Sequence, residues 1–115
     1  MNRIGDSLQG KTVLITQSGS FMGPVLCETF DQHGANVVAD PEPLLEPHAP
    51  AELVAKAGRV DVLIANLAVA APNTPADEVG DEEWREVFGH LVDPLPRLCR
   101  AVLPQMIERR AGKIV

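Results

Sequence analysis

The sequence predicts an α/β fold with a parallel sheet wound on both faces, on three observations. Short apolar runs alternate with helix-length amphipathic stretches in the order strand, helix, strand, helix, strand, which right-handed crossovers convert into parallel neighbours. Residues 60–66, Val-Asp-Val-Leu-Ile-Ala-Asn, are a continuous apolar run of the kind buried on both faces of a parallel sheet. A Pro- and Ala-rich loop, residues 67–80, follows that strand at its carboxyl end, where open α/β sheets place ligands.

Taken in order, residues 12–16, Thr-Val-Leu-Ile-Thr, read as a buried strand. A helix is expected from Gly23 to His33, with Pro24 suited to its first turn and Gly34 to its C-terminal cap. Residues 35–39 read as a second strand ending at Asp40, after which Pro41, Pro43, Pro47 and Pro50 mark an extended connection that cannot be a regular helix. A short helix is expected over residues 51–58, before the strand at 60–66. Asp81 is expected to cap a further helix, with Glu82, Glu83 and Glu86 in its first two turns, where negative charge suits the helix dipole. Pro94 and Pro96 must kink or interrupt it before Leu98 to Arg110 resumes, and Gly112 to Val115 begins another strand. There is no internal repeat or low-complexity tract.

A chain of 115 residues with 45% apolar and 23% charged composition describes one ordinary soluble globular domain. The net charge of −6 comes with no basic stripe, which makes nucleic acid and anionic membrane poor partners. Met1 to Asp6 lacks a charged region followed by an apolar one, and nowhere does an apolar run reach the length of a membrane span, so a cytoplasmic location is expected. Cys27 and Cys99 have neither metal-ligand nor redox-motif spacing and fit reduced core or interface thiols.

The stretches at 10–16 (Gly-Lys-Thr-Val-Leu-Ile-Thr), 34–40 (Gly-Ala-Asn-Val-Val-Ala-Asp), 60–66, 100–106 (Arg-Ala-Val-Leu-Pro-Gln-Met) and 112–115 together resemble the amino-terminal half of a short-chain dehydrogenase/reductase. The resemblance implies a partial Rossmann-like domain over residues 1–115, truncated in the family's fifth strand. A dehydrogenase of that family would carry Gly in place of Gln17 and of Phe21, so that backbone approaches the dinucleotide phosphates closely. Here Gly23 alone of those three positions is glycine. Thr16, Phe21 and Gly23, in the spacing Thr, four residues, aromatic, one residue, Gly, are similar to the fingerprint of halohydrin dehalogenases, which have converted the cofactor pocket into a halide pocket. Twenty residues separate Asp40 from Asp61, too few for the usual helix, third strand and adenine-contacting turn. Ala65-Asn66-Leu67-Ala68 stands where the family has Asn-Asn-Ala-Gly, and Leu91 where reductases keep the Asn of their proton relay.

The resemblance therefore implies a cofactor-independent lyase that converts vicinal haloalcohols to epoxides and halide. Thr16, Phe21 and Gly23 would form the halide or nucleophile pocket, and Asn66 and Leu67 would line the substrate pocket. No catalytic residue is expected within the chain: the family's Ser, Tyr and Arg would lie beyond Val115. Dimer or tetramer contacts are implied for the helix between Glu82 and Arg110. Two alternatives stay open, an NAD- or NADP-dependent oxidoreductase, favoured by Asp40, and a non-catalytic half that serves oligomerisation.

Several residues have a plainer reading. Phe21 also reads as a core aromatic over a degenerate loop. Asp40 before proline is an ordinary turn former. Asn66 is expected to satisfy backbone groups at a strand end, and Trp84 to anchor its helix to the core. Asp77, Glu78, Asp81, Glu82 and Glu83 follow helix-start logic rather than a metal site, and His33, His48 and His90 are separated singletons.

Overall fold

The computed structural model of the protein describes residue 5 and residues 7–115. The remaining residues of the Met1 to Asp6 segment lie outside the described ones. The elements run β1 (Thr12–Ile15), α1 (Gly23–Gln32), β2 (Asn36–Ala39), α2 (Ala49–Ala57), β3 (Val62–Ile64), α3 (Asp81–Leu91), α4 (Pro94–Arg109) and β4 (Lys113–Ile114). All pairs are parallel and the sheet order is β2-β1-β3-β4. The α/β doubly wound reading therefore holds, and among the described residues the chain forms no strand on its way from β2 to β3. β2 is consequently an outer strand on the side where a longer connection would have placed another.

Alternation along the strands builds the two faces. Leu14 of β1 and Leu63 of β3 point to one side, where Leu53 and Val54 of α2 and Leu98, Val102 and Met106 of α4 close over them. Val13, Ile15, Val62 and Ile64 point to the other, against Leu26, Cys27 and Phe30 of α1. Leu14, Leu63, Leu98 and Val102 are fully buried, each contributing about 2 kcal/mol of hydrophobic stabilisation.

Three local expectations change, and the interruption expected at Pro94 and Pro96 holds. Pro50 is not part of the extended connection: α2 starts at Ala49, and Pro50 sits in its first turn, where a missing N–H removes no helical bond. Gly80, not Asp81, is the N-cap of α3, and it caps without a side-chain bond; Asp81 is the first helical residue and still complements the dipole. The prolines divide the third helical stretch completely, with α3 ending at Leu91 and α4 starting at Pro94. Trp84 does not reach the core: it is 59% exposed and stacks on Phe88 at 4.7 Å between ring centroids, one helical turn away. No helix among the described residues is long and apolar enough to cross a membrane.

Candidate functional site

β1 and β3 end side by side, and the chain leaves both at the same edge of the sheet. From β1 it enters the loop 16–22 before α1; from β3 it enters the loop 65–80 before α3. Between them lies a cavity of about 570 Å³ lined by Gln17, Ser20 and Phe21, by Pro41 and Pro43 beyond β2, by Ala68, Val69 and Ala70, and by His90 of α3. Among the described residues no carboxylate lines it, although the chain carries a charge of −6.

The first loop is a pair of tight turns. Ser20 N–H donates to the Gln17 carbonyl at 3.0 Å and Gly23 N–H to the Ser20 carbonyl at 2.8 Å, while Ser18 N–H reaches the Asp40 carbonyl at 2.9 Å. Gln17 at φ 42° and Phe21 at φ 52° occupy the left-handed region that glycine adopts without steric penalty. The N–H groups of Gly19, Phe21 and Met22 find no acceptor among the described residues, and α1 starts directly behind them with the positive end of its dipole.

Thr16 is fully buried, and its hydroxyl donates to the Asn66 carbonyl at 2.7 Å, strapping the ends of β1 and β3 together. Gly23 is a packing position: a Cβ there would collide with the Ser18 carbonyl, so only glycine lets the loop fold back on the start of α1. Of the three residues expected to form the halide pocket, Phe21 alone lines the cavity. Its ring stands at the rim, 79% exposed, and is not the packed core aromatic of the plainer reading.

Asn66 is 6% exposed and its amide donates to the Gln17 and Ser20 carbonyls, both at 3.0 Å. It satisfies backbone groups at the strand end, as the plainer reading of it holds. Leu67 packs against the α2 and α4 side of the core. Neither lines the cavity; with both turned inward, the wall starts one residue later, at Ala68. Asp40 stands beyond β2, where burial and the charge of Glu42 raise its carboxyl above the ordinary value.

Of the cavity residues that the sequence reading does not name as site residues, Gln17 and His90 make side-chain hydrogen bonds. Gln17 is 6% exposed, and its carboxamide pairs with the backbone of Ala68 in both directions, accepting from N–H at 2.9 Å and donating to C=O at 3.0 Å. His90 contributes a ring whose Nδ1 lies 2.9 Å from the Glu86 carbonyl; a carbonyl only accepts, so Nδ1 carries the hydrogen and Nε2 is the free ring nitrogen. The i, i+4 spacing from Glu86 to His90 was visible in the sequence, whereas the partner of Gln17 lies 51 residues away.

Gln17 and Phe21 place a buried carboxamide and an exposed benzyl group at positions where the dinucleotide-binding pattern has glycine, and no strand lies beyond β2 among the described residues.

The family model described as short chain dehydrogenase matches residues 46–115. A short chain dehydrogenase of Pseudocercospora fijiensis is 31% identical over 142 residues, covering 98% of this chain and 46% of that protein. Among solved structures, a 3-oxoacyl-[acyl-carrier protein] reductase with bound NAD from Brucella melitensis superposes with TM-score 0.85 at 19% identity, over 97% of this chain and 54% of the reductase. A structure described as a dehalogenation enzyme superposes with TM-score 0.80 at 27% identity, over 92% of this chain and 52% of that one. The chain thus spans about half the length of the curated relatives it matches. It belongs to the short chain dehydrogenase family, and it corresponds to the amino-terminal portion of that family's members.

Proposed function

We propose that the chain supplies the leaving-group pocket of a halohydrin dehalogenase, a lyase that closes vicinal haloalcohols to epoxides without a redox cofactor. The observation that carries this reading is the first loop. Side chains at Gln17 and Phe21 stand where the dinucleotide pattern has glycine, and they wall a cavity without carboxylates. In the reaction a base takes the hydroxyl proton, the alkoxide oxygen bonds to the neighbouring carbon, and the carbon–halogen bond breaks with its electron pair leaving as halide. Family resemblance assigns the base to a tyrosine, with serine and arginine beside it, outside the portion matched here. The chain's own contribution is to receive the anion. Unpartnered N–H groups of Gly19, Phe21 and Met22 and the dipole of α1 stabilise it, with the Phe21 ring at the mouth. Thr16 and Gly23 act behind the pocket by fixing the loop. The dehalogenation enzyme among the structural relatives supports the reading.

The full protein is therefore expected to close a vicinal haloalcohol such as 2-bromoethanol and to be inhibited by bromide. Phe21→Ala is expected to weaken bromide inhibition several-fold by admitting water that competes for the anion. Bromide inhibition unchanged in a folded variant would make Phe21 irrelevant to the pocket.

The comparisons favour a second reading more strongly than the first. The matched relatives are named as dehydrogenases, oxidoreductases and reductases, one of them with bound NAD, which supports an NAD(P)-dependent oxidoreductase. Fluorescence titration with NADH and NADPH separates the two: saturable micromolar binding by the full protein establishes the oxidoreductase and removes the dehalogenase. In either reading, self-association through α3 and α4 is part of the proposal.

A further inference from the structure

We propose that Gln17 is the positioning residue of the ligand cavity, pinning the wall formed by Ala68, Val69 and Ala70 to the end of β1. The inference rests on the reading that this cavity receives a small ligand. Among the described residues, the segment 67–71 makes hydrogen bonds to the rest of the fold only through the Gln17 carboxamide. Beyond it the next tie is Thr74, whose hydroxyl donates to the Glu83 carboxylate at 2.6 Å. A carboxamide that presents one acceptor and one donor to a single residue imitates a strand partner, and it fixes both the distance and the tilt of the Ala68 peptide. The geometry is held from behind as well, because the Gln17 carbonyl accepts from Asn66 at 3.0 Å and from Ser20 N–H at 3.0 Å. Gln17 itself stays at φ 42°, a left-handed conformation without glycine's freedom, so the fold tolerates strain there to keep this side chain. Glycine would relieve the strain and release the wall.

Full-length Gln17→Met keeps the side-chain length and removes its hydrogen bonds. Gln17→Glu keeps the acceptor for Ala68 N–H and loses the donor. Hydrogen exchange resolved at the Ala68 amide is expected to rise about tenfold or more in Gln17→Met, which loses both bonds, and to rise in Gln17→Glu as well, whose second carboxylate oxygen opposes the Ala68 carbonyl. Exchange in β1 and β3 should stay at the parent level. KM for 2-bromoethanol should rise with kcat nearly kept, because a displaced wall weakens binding without touching the base. If Gln17→Met fails to fold, Gln17→Gly, which suits the φ, decides by the same exchange. Parental exchange at Ala68 in a folded variant overturns the proposal, as does faster exchange with KM unchanged. A parent protein that neither turns over 2-bromoethanol nor binds bromide overturns the dehalogenase reading instead, and the exchange result then still decides whether Gln17 holds the wall.

Discussion

Gly23 and Gln17 show opposite reasons for a residue to sit where it does in one short loop. Gly23 is required by contact, since any side chain would meet the Ser18 carbonyl, a backbone atom that cannot swing aside. Gly23→Ala is therefore expected to destabilise the protein by about 2–3 kcal/mol, read as a lower urea midpoint at unchanged slope. Gln17 and Phe21 tolerate left-handed backbones at a cost of about 1 kcal/mol each, so the loop is strained where it touches the cavity and relaxed where it joins α1. The spacing of Thr16, Phe21 and Gly23 made the loop legible in sequence, because a turn between strand and helix is local. The ties of Gln17 to Ala68 and of Asn66 to Gln17 and Ser20 were not legible. They join positions about fifty residues apart, and no periodicity encodes which buried amide meets which backbone group.

Element ends carried the remaining surprises, because ends are decided by tertiary contact rather than by pattern. The apolar run at 60–66 reads as strand throughout, yet only Val62–Ile64 are regular. Ahead of them Asp61 turns its carboxylate inward to accept from Thr12 N–H at 2.8 Å and from Arg59 at 3.1 Å, with Arg109 of α4 at 4.0 Å. Burial alone would raise the Asp61 carboxyl. The Thr12 N–H and the arginines outweigh it and hold the group below the ordinary carboxylate value. A depressed folded pKa means that this stabilisation is fully present above the unfolded carboxylate value of about 3.9 and is lost as pH falls through the lower folded one. Asp61→Asn is expected to lose about 1–3 kcal/mol near neutral pH, and to show a shallower fall in stability between about pH 5 and pH 2. Chemical denaturation repeated across that range checks both. A prolyl helix start such as that of α2 is equally hard to read, since Pro50 looks the same in an extended segment and in a first turn.

On the scale of the molecule, the parallel sheet and its two packed faces were legible in strand and helix alternation, whereas the strand order and the exposure of apolar side chains on α3 and α4 are features of the assembled fold. Trp84 of α3, together with Leu103 and Ile107 on adjacent turns of α4, stays exposed, and the latter two border a shallow groove of about 370 Å³ that reaches Ile114. The self-association proposed for α3 and α4 is expected to be weakened by Ile107→Glu, which puts a charge beside that groove. Sedimentation velocity should show a smaller species for that variant and an unchanged fold by circular dichroism.

The order β2-β1-β3-β4 also bears on aggregation. With no strand beyond it among the described residues, β2 offers an open row of peptide groups, the kind of edge on which a second chain can be templated. It is only four residues long, begins at the exposed polar Asn36, and runs into Asp40 and Pro41, with Pro43 close behind. An incoming chain would find little straight backbone to zip along before proline ends the ladder. The same short connection that removes a strand from the sheet thus places the imino acids that keep its new border from becoming adhesive.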